Sequence, residues 1–147
     1  MDNLTRQVYS SLAELLDRLA IDQIKEILDP VNRVSCAEEL GRLEYALDLI
    51  FAEGKLKLDA RFIWIVIALA QINLHIWRIK ETMQTEPARF QECMRLAHQL
   101  NGIRNRIKNK IADEAGIDGQ SAKKTNLETD SLEGWAMTVL GPRQTLR

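Results

Sequence analysis

The feature that most constrains this chain is a long stretch without any charged side chain. The stretch covers residues 62–77, and its first nine residues, 62–70, are all apolar. A bilayer core requires about twenty predominantly apolar residues. This stretch is shorter, and it contains Gln71, Asn73 and His75, which are costly to place in lipid. We therefore predict a buried core helix in this region and no membrane span.

A helix that is apolar on every side needs cover on every side. Four helices of one small chain can cover such a helix only in part. The sequence therefore predicts that a second copy of the chain, or another protein, covers the rest. We assign this interface to the third helix and to the C-terminal tail. The predicted interface residues are Trp64, Ile67, Trp77, Trp135 and Leu140.

Periodic apolar residues and helix boundary signals cover most of the remaining chain. Leucine and isoleucine recur at spacings of three and four after two Ser-x-x-Glu capping boxes, which begin at Ser11 and Ser35. The third helix is expected over residues 60–83. Other residues typical of helix ends are Pro30, Gly54, Asp59, Pro87 and Gly116. We predict an all-α fold, a four-helix bundle-like domain with a hydrophobic central helix.

The composition of the chain changes after Gly116. Residues 116–134 are polar and typical of a linker, whereas residues 135–147 bring Trp135 and Leu140 together with other apolar side chains. Exposed Trp and Leu side chains form an adhesive patch, so we expect this irregular tail to dock on its own bundle or on another chain. We predict a helical bundle domain over residues 1–116, and a polar linker and docking tail over residues 117–147.

Composition and charge set limits on the partners of the chain. It is 46% hydrophobic and 28% charged, which is typical of a water-soluble domain, and its net charge is −1. Residues 1–74 carry a net charge of −4 and residues 75–110 carry +5, a division that suits self-association, anion binding or an ordinary solvated surface. The basic run near the end of the fourth helix lacks interleaved aromatic residues, so we expect no nucleic-acid partner.

The cysteines and the absence of known site motifs set further expectations. Cys36 and Cys93 form no metal-type pair, and no signal peptide is visible in the sequence. We therefore expect free thiols and a cytoplasmic protein. The sequence also lacks a glycine-rich phosphate loop and a metal-ligand motif, and we predict neither a cofactor nor a bound metal.

Polar residues beside the apolar stripes support a second hypothesis. On the third helix Trp64, Gln71, His75 and Arg78 share one narrow stripe, while Asn73 points the other way. An internal hydrogen-bond network or a wet interface explains such a stripe. So does a pocket in which His75 is an acid/base or ligand group and Arg78 holds an anion. The alternative function is therefore a binder of nucleotides or nucleotide sugars, or a magnesium-dependent hydrolase with inter-helix carboxylates.

Two helical enzyme patterns are incomplete in this chain. All-helical nucleotide pyrophosphatases carry E-E-x-x-E followed by E-x-x-D, but here Glu44 follows its glutamate pair at the wrong spacing, and the E-x-x-D from Glu14 to Asp17 comes first. The R-N-x-x-x-x-H motif of another helical class begins at Arg104 but has Lys110 in place of the His. That change removes the general acid/base, and we assign no catalytic residue.

Three segments carry a resemblance to a known family. Residues 11–25, SLAELLDRLAIDQIK, match S-L-x-E-L-x-D-R/K-L-x-I-x-x-I-K, while residues 73–77 match N-L-x-I-W and residues 100–105 match L-N-x-x-R-N. In these segments the chain resembles a family of small all-helical bacterial proteins of uncharacterised activity. Members of that family are sometimes associated with glycan biosynthesis, so the resemblance implies a nucleotide-sugar or polysaccharide context.

The resemblance highlights polar residues on two helices. It implies that they either pair Asp17 with Arg104 across an interface, through a charge-assisted bond, or line a ligand site. Together with the polar stripe of the third helix, they give the candidate ligand-binding residues. These are Glu14, Asp17, His75, Arg78, Asn101 and Arg104.

The two hypotheses require different structures. A pocket requires His75, Arg78 and at least one of the carboxylates to converge on one ligand. An assembly module requires Trp64, Trp77 or Trp135 to be covered by another chain. Our first hypothesis is the assembly module, a non-enzymatic protein that self-associates or binds a protein partner through its third helix, with its tail docking on a neighbour.

Overall fold

The computed structural model describes residues 12–116 and 137–143, and these residues fold into helices and short connections. The described residues form four α-helices, which we number α1 (Leu12–Leu28), α2 (Arg33–Ala52), α3 (Ala60–Thr85) and α4 (Phe90–Ala115). Single 3₁₀ turns lie at Pro30–Asn32, Pro87–Arg89 and Thr138–Leu140. The predicted all-α, bundle-like fold is confirmed.

Most helix ends lie where the local sequence predicts them. α1 ends two residues before Pro30, because a proline ring interrupts a helix. Asp59 caps α3, since its Oδ1 accepts a hydrogen bond from the Phe62 backbone nitrogen at 3.0 Å. Gly54 and Gly116 follow the ends of α2 and α4 with φ angles of 67° and 74°, a left-handed conformation that residues with a Cβ rarely adopt.

The predicted start of α2 was wrong by three residues. Ser35 lies inside α2 rather than at its N-cap, and its hydroxyl donates to the Asn32 carbonyl at 3.0 Å. The 3₁₀ turn that begins at Pro30 leads directly into α2, so the helix begins at Arg33. The first capping box begins at Ser11, which lies outside the described residues.

The four helices do not pack as four equivalent neighbours. α3 and α4 form an antiparallel pair, α1 packs against both of them, and α2 packs chiefly against α1. The interior is filled by aliphatic side chains from all four helices. Fully buried members are Leu15, Leu43, Ile65, Leu69, Ile72, Leu100, Ile107 and Ile111.

α3 is covered on one side only by the part of the chain that the structure describes. Its inner face, which includes Ile65 and Ile72, is fully buried. On the opposite face Ile63, Trp64 and Ile67 expose 62%, 46% and 53% of their surface. The sequence placed Ile67 at an interface, and in this single chain that residue is half-exposed.

By length and composition, α3 is the one described helix that could cross a bilayer. Its most apolar 18 residues have a mean hydropathy of 1.6, and 39% of that window is buried in the bundle. Core helices of water-soluble proteins meet the same measure. The inner face of α3 packs on α1 and α4 and presents Asn73 to Asp17, an arrangement typical of a core helix. The absence of a membrane span stays a prediction.

Residues 137–143, which we call the strap, dock on their own bundle. Val139 is 1% exposed, and Met137 and Leu140 pack against the core. Arg61 Nη2 donates to the carbonyls of Val139 at 3.0 Å and Gly141 at 2.6 Å. The first hypothesis placed the tail on a neighbouring chain. In the structure, residues 137–143 instead pack on their own chain. Trp135 lies outside the described residues.

A second contact fixes the end of the strap. Arg143 Nη2 donates to Asp59 Oδ2 at 3.0 Å and to Glu114 Oε2 at 2.6 Å. The strap therefore joins the start of α3 to the end of α4. The two carboxylates hold the pKa of Arg143 above its usual value, the hydrogen bond to Glu114 contributing most.

Candidate functional site

Four of the six candidate ligand-binding residues meet inside the bundle. Asp17 lies on the inner face of α1 and is 3% exposed. Arg104 Nε donates to Asp17 Oδ1 at 2.9 Å, and its Nη2 donates to Oδ2, so the guanidinium grips both carboxylate oxygens. Arg104 Nη1 also donates to Asn101 Oδ1 at 3.3 Å. Asp17 is thus paired with Arg104, one of the two arrangements that the resemblance implies.

α3 adds a third helix to this cluster. Asn73, which is 5% exposed, donates from Nδ2 to Asp17 Oδ1 at 2.9 Å. The sequence placed Asn73 on the side of α3 opposite His75, and the structure has it there. One carboxylate therefore ties α1 to both α3 and α4.

Lys108 completes the cluster and was missed from the sequence. Its Nζ lies 2.8 Å from Glu14 Oε1 and 3.5 Å from Asp17 Oδ2, and its side chain is 7% exposed. The available signal was its position four residues after Arg104, which places both cations on one face of α4. Glu14, Asp17, Asn73, Arg104 and Lys108 are together called the Asp17 cluster.

The electrostatics of the cluster favour a charged Asp17. Burial by itself raises the pKa of this carboxyl, since it disfavours the ionised form. The hydrogen bonds from Arg104 and Asn73, with the charges of Arg104 and Lys108, outweigh burial, and the pKa of Asp17 lies below its usual value. Two carboxylates face two cations, so the cluster is balanced in charge.

This arrangement is suited to holding helices together. Lys108 and Arg104 lie where a cation would need to approach Glu14 and Asp17. Within residues 12–116 and 137–143, no three His, Cys, Asp or Glu side chains are grouped so that they could hold a metal ion. The geometry therefore does not support the magnesium-dependent alternative.

The other two candidate ligand residues lie on the outer face of α3. His75 and Arg78 are exposed, and Arg78 Nη1 donates to Glu81 Oε2 at 3.1 Å. Arg78 lines a groove between α1 and α3 together with Gln23 and Gln71, and that groove is lined by neither His75 nor a carboxylate. The structure does not bring His75, Arg78 and the carboxylates to one site, as a pocket would require.

A second buried polar group joins α1 to α2, and the sequence gave no indication of it. Asp22 is fully buried and lies 3.8 Å from Arg18 Nε, and Arg18 Nε donates to Glu39 Oε1 at 2.8 Å. Burial and the nearby charge of Glu39 raise the pKa of Asp22. The hydrogen bond from Arg18 lowers the pKa of Glu39. Asp22 therefore keeps its proton to a higher pH than an ordinary aspartate does, and Glu39 ionises at a lower pH than an ordinary glutamate does.

The exposed residues Ile63, Trp64 and Ile67, which we call the α3 patch, lie beside the strap. Trp64 lines a shallow pocket of about 250 Å³ together with Arg61, Thr138 and Arg143. The Arg61 guanidinium lies 5.6 Å from the centre of the Trp64 ring, a cation–π distance. Trp77, another predicted interface residue, is half-buried and donates from Nε1 to Glu81 Oε1 at 2.8 Å.

Comparison with known proteins adds no relative to this picture. No protein-family model, no curated protein and no solved structure matches the chain. The resemblance to small helical bacterial proteins therefore stays a prediction, and so does the glycan context that it implies. The geometry of the chain is the basis for a function.

Proposed function

We propose that the protein is a non-enzymatic assembly module that self-associates through the α3 patch and the adjoining strap. The observation that carries the proposal is the exposure of Ile63, Trp64 and Ile67 on one face of an otherwise core-forming helix. Contiguous apolar surface of this kind is typical of interaction sites in folded proteins. Aromatic side chains such as Trp64 are also enriched at the centres of interfaces.

The position of the strap supports the same surface. Thr138 and Arg143 line the pocket that Trp64 shares, so the two regions assigned to the interface from sequence are neighbours. Leu140 is half-buried against the core and fixes the strap beside the patch. A partner that covers Trp64 therefore also contacts the strap.

Polar and charged residues border the α3 patch on two sides. Beyond Ile67 this face continues as Gln71, His75 and Arg78, all exposed. The apolar surface thus has a polar border on one side and the charged groups around Arg61 on the other. An apolar centre with a polar rim is the usual anatomy of a specific interface.

The test of this proposal is the mass of the full-length protein in solution. Sedimentation equilibrium should give a mass that rises with concentration above the 16.8 kDa of one chain. Ile67→Asp should lower the mass reached at each concentration, because a charge at the centre of an apolar interface is left without a partner. Circular dichroism should be unchanged, since Ile67 is half-exposed in the single chain.

Val31→Asp is a matched control. Val31 is 92% exposed in the turn between α1 and α2, outside the α3 patch. The same kind of substitution there should leave the association unchanged. A protein that is monomeric at every concentration, or an Ile67→Asp variant that associates like the unmodified chain, would contradict the proposal.

A further inference from the structure

The outward side of α2 carries an unusual set of exposed residues. Because α2 packs chiefly on α1, the other described helices do not cover its far side. Val34, Glu38, Gly41, Tyr45 and Asp48 recur there at spacings of four and three, and all five are exposed. This repeat places them on one stripe, which we call the α2 outer face. Val34 is 75% and Tyr45 is 65% exposed.

Gly41, at the middle of this stripe, faces no other part of the chain that the structure describes. A glycine within a helix is less favourable than alanine and is usually retained where another group approaches closely. A Cβ built at Gly41 would meet no atom within 4 Å. The space next to Gly41 is therefore open among the described residues.

A groove formed by α3 and α4 has complementary properties. It lies between the end of α3 and the start of α4 and has a volume of about 520 Å³. Met83, Phe90 and Met94 supply apolar surface, while Lys80 and His98 are also among its lining residues. Phe90 and Met94 are more than two-fifths exposed. We call this site the α3–α4 groove.

Charge relates the two surfaces. Glu38, Glu44 and Asp48 of α2 form no ion pair with another residue in the described ranges, and the same holds for Lys80. Two α2 outer faces would repel each other, whereas the α2 outer face and the α3–α4 groove attract.

We propose that the α2 outer face of one copy binds in the α3–α4 groove of a second copy. Tyr45 and Val34 would contact Phe90 and Met94, the acidic residues of α2 would face Lys80, and Gly41 would allow the helix to approach closely. The contact is heterologous, so each copy retains one free surface of each kind, and copies can continue into a ring or a filament. These surfaces are separate from the α3 patch, and the proposal stands whether or not that patch binds.

The experiment uses the full chain carrying Ile67→Asp, which removes the α3 patch as a source of association. In this background one variant, Gly41→Arg, obstructs the α2 outer face. A second, Lys80→Glu with Met94→Glu, obstructs the groove. Gly41→Ala is the matched control, because it adds one methyl group where nothing lies within 4 Å. Association is measured by sedimentation velocity over a range of concentrations.

The expected result is that Ile67→Asp alone still associates, and that each obstructing variant weakens association about tenfold or more. Gly41→Ala should behave like its background. An equal mixture of the two obstructing variants should recover one contact and stop at a 1:1 pair, since one member retains the groove and the other retains the α2 outer face. Each obstructing variant should keep its helical circular dichroism.

Three results would overturn this proposal. The first is a background protein that is monomeric at every concentration. The second is a mixture that stays monomeric. The third is an assembly that Gly41→Arg abolishes but the groove variant does not, because another surface or another protein would then be the partner of α2.

Discussion

The two sides of helix α3 differ in an unusual way: a polar side chain is buried on its inner side, and an apolar side chain is exposed on its outer side. α3 presents Asn73 to the buried Asp17 cluster, and on its other side it exposes Ile67. Asn73 is buried at little cost because its amide finds the Asp17 carboxylate at 2.9 Å. Ile67 is exposed because the other described helices cover only one side of α3. On α3, whether a side chain is buried depends more on the groups that surround it than on whether the side chain is polar.

The difference between the two sides of α3 is tested most strongly by replacing one isoleucine on each side with alanine. Ile65 is fully buried, and Ile65→Ala should lower the free energy of unfolding by about 2–5 kcal/mol, through lost burial and the cavity left behind. Ile67→Ala should cost less than about 1 kcal/mol in the single chain, because its surface is already half in water. Urea unfolding at low protein concentration measures both.

The two variants differ because their sites differ. A loss of about 2–5 kcal/mol is typical where a truncated isoleucine lies in a packed core, and the 53% exposure of Ile67 removes the basis for that figure at this position. If the two alanine variants lost equal stability in the dilute protein, the outer side of α3 would have to be covered by its own chain.

The Asp17 cluster is tested by removing its central charge. Asp17→Asn should lower the free energy of unfolding by about 3 kcal/mol, because it leaves Arg104 and Lys108 in a buried site with Glu14 as the remaining carboxylate. Asp48→Asn, at an exposed position of α2, is the matched control and should change stability by less than about 0.5 kcal/mol. Equal losses for the two variants would show that the cluster contributes no stability.

A smaller loss of stability is expected when the contact between the strap and the core is removed. Leu140→Asp should release the strap and cost about 1–3 kcal/mol, since an unpaired carboxylate would replace a side chain packed on the core. Trypsin should then cleave after Arg143 more rapidly. Thr138→Asp, at an exposed position of the same turn, should leave cleavage unchanged. Unaltered protease resistance in Leu140→Asp would count against docking.

The two buried aspartates of α1 should respond to pH in opposite directions. The pKa of Asp17 is lowered, so its contribution to stability is present above its ordinary pKa of 3.8 and is lost as the pH falls through the lower folded value. The pKa of Asp22 is raised, so its contribution is present below 3.8 and is lost as the pH rises through the raised value.

Asp22→Asn tests the second half of this statement. The amide can donate to Glu39 as the protonated carboxyl does, but it cannot ionise. The variant should therefore be more stable than the unmodified protein near about pH 8 and equal to it at strongly acidic pH. Chemical unfolding at a series of pH values measures the difference. A variant that is equally destabilised at all pH values would contradict the raised pKa.

The sequence predicts those parts of the structure that depend on near neighbours along the chain. Pro30, Gly54, Asp59 and Gly116 mark helix ends because proline, glycine and capping carboxylates act within a few residues. The prediction that Ser35 caps α2 was wrong, because the 3₁₀ turn that begins at Pro30 leads directly into the helix before Ser35 is reached. The boundary signals were therefore informative to within about three residues.

Contacts between helices were predicted less completely. The face of α1 that carries Glu14 and Asp17 was recognisable, and their neighbours Asn101 and Arg104 were singled out. Lys108 was missed, because periodicity gives a direction around a helix but not the depth at which a side chain lies. His75 and Arg78 were placed on the correct stripe of α3, yet only the packing of the helices shows that this stripe faces outward.

The exposed α3 patch is the basis of the proposed function, and the most direct test of it is the mass of the unmodified full-length protein as a function of concentration. We expect the weight-average mass to rise above 16.8 kDa as the concentration increases, and to be lower at each concentration when Ile67 is replaced by Asp. A single species of 16.8 kDa at all concentrations of the unmodified protein would contradict the account.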